Sequence, residues 1–348
     1  MLDNSDVSNT QSLILCPNYY LEVNGLLDHR FIWQSFNALH AANTTQRLLY
    51  KCYKKAPIQD AEKKSYENSY PFIYYLEHGQ NYYKLAENAP LSIKPVLLFY
   101  GMVQLLKACL LTVDPQYPES TSVLAHGVST RKRKKQSYEF FHDEVKVQKN
   151  GLFSHFSNQM FHIRQIEGEK LSMGQLLKRI PELHNLFSLH FQKDLYIKTP
   201  LKDKSTFIIP NETLDAYHMT SQRLLSFIES TIPFGTIYIE SEEIFLSLDT
   251  NSNLLPLTSS PLLFHLYEGE FYLPRERELL TIFPEVMVHY LILYNLSMIS
   301  RYETEWWSEL LHTYSSNDYP FIRQFLAISA DKVPYLLYLF LKGKIKGD

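Results

Sequence analysis

Residues 92–115 read SIKPVLLFYGMVQLLKACLLTVDP, and this stretch decides the fold. Ser92 is suited to cap a helix, and Pro95 loses nothing in a first helical turn, where its missing amide hydrogen has no partner. The residues that follow are apolar almost all round until Pro115 ends the run. Because a helix that is apolar on every side has to be buried, the stretch predicts a central helix over about residues 95–112.

A polar stripe interrupts this predicted helix. Tyr100, Gln104 and Lys107 are spaced by four and three residues, so they share one face. Polar groups on a buried helix need partners. Two interpretations stay open: the three side chains bond to neighbouring helices or reach solvent at the rim of the core, or they form the wall of a ligand pocket.

A strongly basic segment follows the helix. The sequence LAHGVST, which contains His126 in a tight turn, leads directly into five consecutive cations. These are Arg131, Lys132, Arg133, Lys134 and Lys135. Such a run is either a solvated surface or a contact for phosphate or an acidic partner, and the aromatic residues Tyr138, Phe140 and Phe141 stand close enough to anchor that partner. We predict that His126 and the five cations bind a partner or a phosphate.

Composition excludes several common classes of protein. The 348 residues are 45% hydrophobic, which is enough for a large folded core, and their net charge of −3 attracts neither nucleic acid nor an anionic membrane as a whole. Only 11 residues are glycine, and none of them forms G-x-G, a P-loop or a G-x-S-x-G elbow. Rossmann, P-loop and α/β-hydrolase folds are therefore excluded, and we expect no cofactor.

The cysteines and the first residues indicate the compartment. Cys16, Cys52 and Cys109 are odd in number and far apart, which favours reduced thiols. No His and Cys spacing predicts a zinc site, so we expect no metal. The opening MLDNSDVSNT has neither a basic start nor an apolar core, and the apolar helices carry polar interruptions. The sequence therefore predicts a cytoplasmic protein without membrane segments.

The order of patterns along the chain predicts the architecture. Helical spacing before the central helix recurs over residues 34–53 and 61–85, with Pro71 marking a break or a helix start. β-branched and aromatic runs such as STFIIP, GTIYIES and EEIFLSL predict a small mixed or antiparallel sheet within residues 190–275. Helices follow over residues 284–301, 304–314, 320–329 and 333–341.

These patterns predict a mainly α protein with a small β-containing insertion, an α+β arrangement. We predict a helical domain over residues 1–190 that carries the basic loop 129–136. A small α+β insertion should follow over residues 191–275, and C-terminal helices over residues 276–348 should pack on the first domain.

One pair of residues has a spacing that fits RNA cleavage. Arg179 and His184 form R-x-x-x-x-H, in which the arginine would steady a phosphate and the histidine would move a proton. Pro181 lies between them and favours a helix start there over one continuous catalytic face. The pair is a weak catalytic candidate, and the prediction leans towards a protein that is not an enzyme.

Several segments carry a resemblance to a known family. YPFIYYLEHGQNYY, IKPVLLFYGMVQLLKACLL, YPESTSVLAHGVSTRKRKKQSYEFFHDEV, RIPELHNLF and LSMISRYETEWW together resemble the YaaC-like proteins over most of the chain. The resemblance implies a cytosolic protein and makes IMP dehydrogenase a conceivable partner, but it implies no catalytic residues. LLFYGMVQLLKACLL followed by AHG is also distantly similar to HEPN-type helical bundles, whose active members are ribonucleases with R-x(4–6)-H.

Three functions follow as hypotheses. The first is a non-catalytic interaction or regulatory protein that presents residues 129–141 to an acidic protein or a phosphate-bearing ligand. The second is an HEPN-like ribonuclease that uses Arg179 and His184. The third is a nucleic-acid-binding protein whose contact is the basic run 131–135. Absence of the common cofactor and metal motifs from the sequence favours the first.

Overall fold

The computed structural model describes residues 29–56, 58–130, 138–164, 166–232, 235–249, 254–281, 283–314 and 316–346. The helices within these residues are α1 His29–Asn37, α2 Ala42–Lys55, α3 Ala61–Glu87, α4 Lys94–Leu111, α5 Leu152–Phe161, α6 Met173–Leu177, α7 His184–Phe191, α8 Glu212–Tyr217, α9 Ser221–Thr231, α10 Leu255–Thr258, α11 Glu285–Tyr302, α12 Thr304–Thr313 and α13 Asp318–Lys346. The strands are β1 Val128–Thr130, β2 Glu144–Val147, β3 Lys170–Ser172, β4 Tyr196–Lys198, β5 Thr206–Ile209, β6 Gly235–Glu240, β7 Glu243–Leu248, β8 Leu263–His265 and β9 Glu270–Pro274.

Helix α4 is the centre of the molecule. It packs against α3, α5, α11 and α13, and Leu98, Phe99 and Met102 on it are fully buried. Among the described helices it alone has the length and apolar composition of a membrane span, yet 67% of it is buried inside the fold. The predicted central helix is confirmed. The predicted cap is wrong, because the helix starts at Lys94 and the Ser92 carbonyl accepts a hydrogen bond from Trp307 Nε1 (3.2 Å).

The strands form small antiparallel sheets of three strands each, in the orders β1-β2-β3, β4-β9-β8 and β5-β7-β6. Two of them lie in the predicted insertion, where the sequence indicated one. The first and last strands of the insertion pair with each other, with Tyr196 opposite Pro274. The chain therefore enters and leaves the insertion at one place. The third sheet, β1-β2-β3, begins with the last three residues of LAHGVST and lies outside the predicted insertion.

Two long helices contain a proline, and both are continuous where the sequence predicted an interruption: a break or a helix start at Pro71, and a gap between residues 329 and 333. Helix α3 runs without interruption through Pro71, and α13 runs through Pro334, joining the two predicted helices over 320–329 and 333–341. A proline inside a helix costs about 3 kcal/mol. The apolar residues that flank each proline, such as Phe72 and Leu336, are fully buried, and this packing offsets the cost.

One continuous set of buried apolar side chains connects the helices with the sheets of the insertion. Phe207 and Leu273 of the insertion belong to the same cluster as Phe99 of α4 and Leu336 of α13. The mainly α class with a small β part is confirmed. The division at residues 190 and 275 stays a prediction.

Candidate functional site

Two glycines fix the turn that carries His126. Gly127 has φ +78° and Gly151 has φ +128°, a region that side chains rarely adopt. A Cβ on Gly151 would lie only 2.3 Å from the Gly127 Cα, so the two backbones touch. The Phe153 amide donates to the His126 carbonyl (3.1 Å), and the Tyr290 hydroxyl donates to the same oxygen (2.9 Å). The turn is therefore held against both α5 and α11.

The His126 ring lies among aromatic side chains of the two central helices. Its centroid is 5.0 Å from that of Phe99, 6.0 Å from Tyr100 and 5.7 Å from Tyr294. Its Nδ1 is buried, and no group in the described part of the chain forms a hydrogen bond with it. Burial, and then the charges of Arg301 and Lys107, lower the pKa of the imidazole below its ordinary value. His126 is therefore neutral at pH 7.

Arg301 reaches the same place from the end of α11. Its Nη1 donates to the Tyr100 hydroxyl (3.4 Å), and its Nε donates to the Ser297 carbonyl (2.9 Å). The guanidinium carbon lies 5.9 Å from the centre of the Tyr100 ring and 5.2 Å from that of Tyr302. The Ser297 carbonyl and the two tyrosine rings therefore fix the orientation of the guanidinium.

Lys107 lies seven residues beyond Tyr100 on α4, and its charge acts on the pKa of His126. Its Nζ lies 5.5 Å from the centre of the Tyr75 ring, and burial lowers its pKa. Within the described residues, neither Lys107 nor Arg301 has a carboxylate within 4.0 Å. We call Tyr100, Lys107, His126, Tyr294 and Arg301 the aromatic-cation site. It combines half-buried positive charge with hydroxyl donors and ring faces, which suits an anionic ligand.

The structure brings together two features that the sequence treated separately. Tyr100 and Lys107 came from the stripe on α4, and His126 came from the turn before the basic run. Gln104, the third member of the stripe, is half-buried between Tyr100 and Lys107 on the same helix face. The basic run from Arg131 to Lys135 lies outside the described residues.

Tyr294 and Arg301 were not predicted as site residues. They lie seven residues apart on α11, and Tyr290 precedes Tyr294 by one turn, so all three share a helix face. The same search for a polar stripe that selected Tyr100 and Lys107 on α4 would have selected them. Their approach to His126, which lies more than 160 residues earlier than Tyr290, has no signal in local spacing.

Arg179 and His184 occupy different surroundings. The Arg179 guanidinium is buried and donates to the carbonyls of Leu279 (2.6 Å) and Phe283 (2.7 Å). Burial lowers its pKa to about 10. His184 is half-exposed, with its Nε2 3.6 Å from Asp194. The 3₁₀ turn Pro181–Leu183 separates the two residues. Because the Arg179 guanidinium already donates to two carbonyls, a phosphate would have to displace those hydrogen bonds.

A second polar cluster is fully buried. Lys332 Nζ on α13 lies 2.7 Å from Glu182 and 2.6 Å from Glu285, and it donates to the Phe264 carbonyl of β8. His289 lies 3.4 Å from Glu285. Burial alone would raise the pKa of Glu285, but Lys332 and His289 hold it below its ordinary value. We call Glu182, Glu285, His289 and Lys332 the Lys332 network.

The Lys332 network balances its own charge. Burial lowers the pKa of Arg179, and the nearby charge of Glu285 raises it again. Two cations, Lys332 and Arg179, therefore balance the two carboxylates. All of these side chains are buried, which leaves no route for a ligand. Among the described residues, no three His, Cys, Asp or Glu side chains are grouped as a metal site would require.

Two depressions in the described surface lie away from the aromatic-cation site. One has a volume of about 770 Å³, is widely open, and lies where α2 turns into α3, beside Tyr50 and Asp60. The other, about 190 Å³, is mostly apolar and lies between Leu39, Leu48 and Ile345. Neither gathers the combination of cations, a histidine and ring faces that α4 and α11 bring together.

A family model described as YaaC-like Protein matches residues 37–341. The chain belongs to the YaaC-like family. No curated protein and no solved structure matches it. The match to the YaaC-like family covers every residue of the aromatic-cation site, and it confirms the resemblance seen in the sequence. Similarity to HEPN-type bundles is not shown.

Proposed function

We propose that this YaaC-like chain is a cytoplasmic, non-catalytic binding protein whose aromatic-cation site holds a phosphate-bearing small ligand. The observation that carries the proposal is that Arg301 bonds to Tyr100 and, with Lys107, brings positive charge to His126, while neither cation has a carboxylate close to it in the described part. Half-buried cations without an anion lack part of their solvation, and a bound phosphate restores it.

The chemistry of the site favours a small phosphate ester. Tyr100 and Tyr294 offer hydroxyl groups, and their rings flank the imidazole of His126 at 6.0 and 5.7 Å. Hydroxyl groups and a guanidinium are the donors that phosphate oxygens use, while ring faces suit the organic part of the ligand. Helix α4 contains no carboxylate, and the first one after its end, that of Asp114, is bound to His155 Nε2 (2.8 Å).

An acidic protein is the second candidate, and the position of the basic run favours it. The run begins directly after Thr130, the last residue of β1, and ends shortly before Tyr138, whose ring lies 4.6 Å from that of Trp306. Folded structure thus flanks the run on both sides, next to the turn of His126. We propose IMP dehydrogenase as the protein to test first, on the strength of the family resemblance alone.

Calorimetric titration of the full chain with adenosine 5′-monophosphate, adenosine and pyrophosphate tests the first candidate. We expect the two phosphate compounds to bind and adenosine to bind far more weakly. Arg301→Gln and Lys107→Gln should each weaken phosphate binding by about tenfold or more, because a charge-assisted hydrogen bond contributes roughly 1.5–3 kcal/mol. Arg323→Gln, an exposed change on α13, is the matched control and should bind as the wild type does.

The same variants separate the two candidates. Reversing the charges of Arg131 and Arg133 should leave phosphate binding unchanged and should abolish capture of an acidic protein. If none of the phosphate compounds binds, and if Arg301→Gln changes no measured affinity, the small-ligand proposal is wrong. If purified IMP dehydrogenase does not bind the wild-type chain, that partner is excluded.

A further inference from the structure

Three tyrosines form an exposed line along α3. Tyr66, Tyr70 and Tyr74 follow one another at intervals of four residues, and 66%, 52% and 55% of their surfaces are exposed. The opposite face of the same helix buries Phe72 and Leu76 against the core. Tyrosine is enriched at protein interfaces, because one end of its side chain is apolar and the other forms hydrogen bonds. A continuous line of three exposed tyrosines is therefore a candidate interface.

Charges of opposite sign flank the line symmetrically. Lys63 precedes Tyr70 by seven residues and Glu77 follows it by seven, and both are exposed. The spacings from Lys63 through Tyr66, Tyr70 and Tyr74 to Glu77 are three, four, four and three, which read the same in both directions. Seven residues are two helical turns, about 10 Å along the axis. The pattern is thus self-complementary about Tyr70.

We propose that a second copy of this chain binds antiparallel along this face of α3, with the two-fold axis at Tyr70. Lys63 of each copy then lies beside Glu77 of the other, and Tyr66 lies near Tyr74. A parallel arrangement would place Lys63 beside Lys63 and Glu77 beside Glu77, where like charges repel. Lys63 is available for such a contact, because its own Glu67 is 3.9 Å away and lies closer to Lys64, at 3.1 Å.

The size of the surface sets the strength of the dimer. A buried aromatic side chain contributes roughly 150–250 Å², so three tyrosines that are about half exposed offer on the order of 300–400 Å² in each copy. A standard stable interface buries about 800 Å² in each partner. The tyrosine line with its flanking charges therefore supports a reversible dimer that forms at high protein concentration and weakens as salt is added.

Sedimentation velocity over a wide range of protein concentrations tests the proposal with the full chain. We expect the wild type to pass from monomer to dimer. Tyr70→Glu should remain a monomer throughout, since it places two carboxylates together at the two-fold axis. Lys63→Glu and Glu77→Lys should each weaken the dimer by about tenfold or more, because each change turns two attractions into two repulsions.

The double variant Lys63→Glu with Glu77→Lys is the decisive measurement. It restores both pairs with their signs exchanged, so it should dimerise as the wild type does. Tyr314→Glu, which changes an equally exposed tyrosine outside α3, should leave dimerisation unchanged. Equal thermal melting of the monomers shows that every variant is folded. A wild type that stays monomeric, a dimer that Tyr70→Glu does not affect, or a double variant as weak as the single ones would each overturn the proposal.

Discussion

Burial, together with the charges of Arg301 and Lys107, holds the pKa of His126 below its ordinary value of 6.5. Without a bound ligand, the folded chain therefore takes up a proton at His126 less readily than the unfolded chain does. Protonation of His126 lowers the free energy of unfolding as the pH falls below 6.5. An anion bound beside the imidazole has the opposite effect, since it favours the charged form. Binding of an anion should thus be coupled to uptake of a proton.

This coupling predicts that the site binds anions more tightly as the pH falls through the range below 6.5. Sulfate is the suitable probe, because its charge stays constant there, whereas a phosphate monoester gains a proton near pH 6. We expect the affinity for sulfate to rise on acidification in the wild type and to be nearly independent of pH in His126→Gln. Calorimetry in buffers of different ionisation enthalpy counts the protons. A wild type whose affinity does not change with pH would show that the anion lies away from His126.

Among the elements, the turn between Ala125 and Val128 depends most on glycine. A methyl group on Gly151 would collide with the Gly127 backbone at 2.3–2.4 Å, and φ +128° is itself unfavourable for any side chain. Gly269 also has a positive φ, +69°, but nothing lies within 4 Å of a Cβ placed there. Gly151 therefore combines a collision with a backbone region that is almost confined to glycine (φ +128°, ψ 176°), whereas Gly269 has a positive φ in open space.

We expect Gly151→Ala to lower the free energy of unfolding by more than Gly269→Ala does. A positive φ alone costs a residue with a side chain about 1–2 kcal/mol, and at Gly151 the more restricted conformation and the collision both add to that cost. Gly151→Ala should also weaken phosphate binding, because the displaced turn carries His126. Urea denaturation and the calorimetric titration measure the two effects. Equal destabilisation by both changes would mean that neither the restricted conformation of Gly151 nor its close contact with Gly127 adds a cost.

The sequence predicted the elements well where local patterns decide them. The apolar run after Pro95 is a helix because its own residues favour one and because no other arrangement buries them. Pro71 predicted a break or a helix start, since its local cost is real, yet packing of distant residues against the buried Phe72 outweighs it. A single sequence does not show which distant residues will supply that packing.

At the scale of the whole molecule, sites are assembled from distant parts of the chain. The stripe on α4 and the turn of His126 were found from composition and spacing, whereas Arg301 joins them only through the crossing of α11 over α4. The Lys332 network was not predicted at all. Glu182, Glu285 and Lys332 stand far apart in sequence, and each looks like an ordinary surface charge when it is read alone.

The Lys332 network ties the β-containing insertion to the helical body. Lys332 on α13 contacts Glu285 on α11, and it also donates to the Phe264 carbonyl of β8. Glu182 accepts from the Leu266 amide, next to the same strand (2.8 Å). Loss of the lysine removes one of the two cations that balance the buried carboxylates of Glu182 and Glu285, and a buried ion pair broken in this way costs about 3–5 kcal/mol.

Lys332→Met should therefore lower the free energy of unfolding by several kcal/mol, while Lys170→Met, an exposed change on β3, should stay within about 0.5 kcal/mol of the wild type. Adding Glu182→Gln to Lys332→Met should recover much of the loss, because the one remaining carboxylate, that of Glu285, then faces the one remaining cation, Arg179. Hydrogen exchange should show the amides of β8 and β9 opening more than those of α2 in Lys332→Met, because the insertion loses its bond to α13. Uniform loss of protection would instead mean that the insertion and the helices unfold as one unit, and that the network serves overall stability and not the attachment of the insertion.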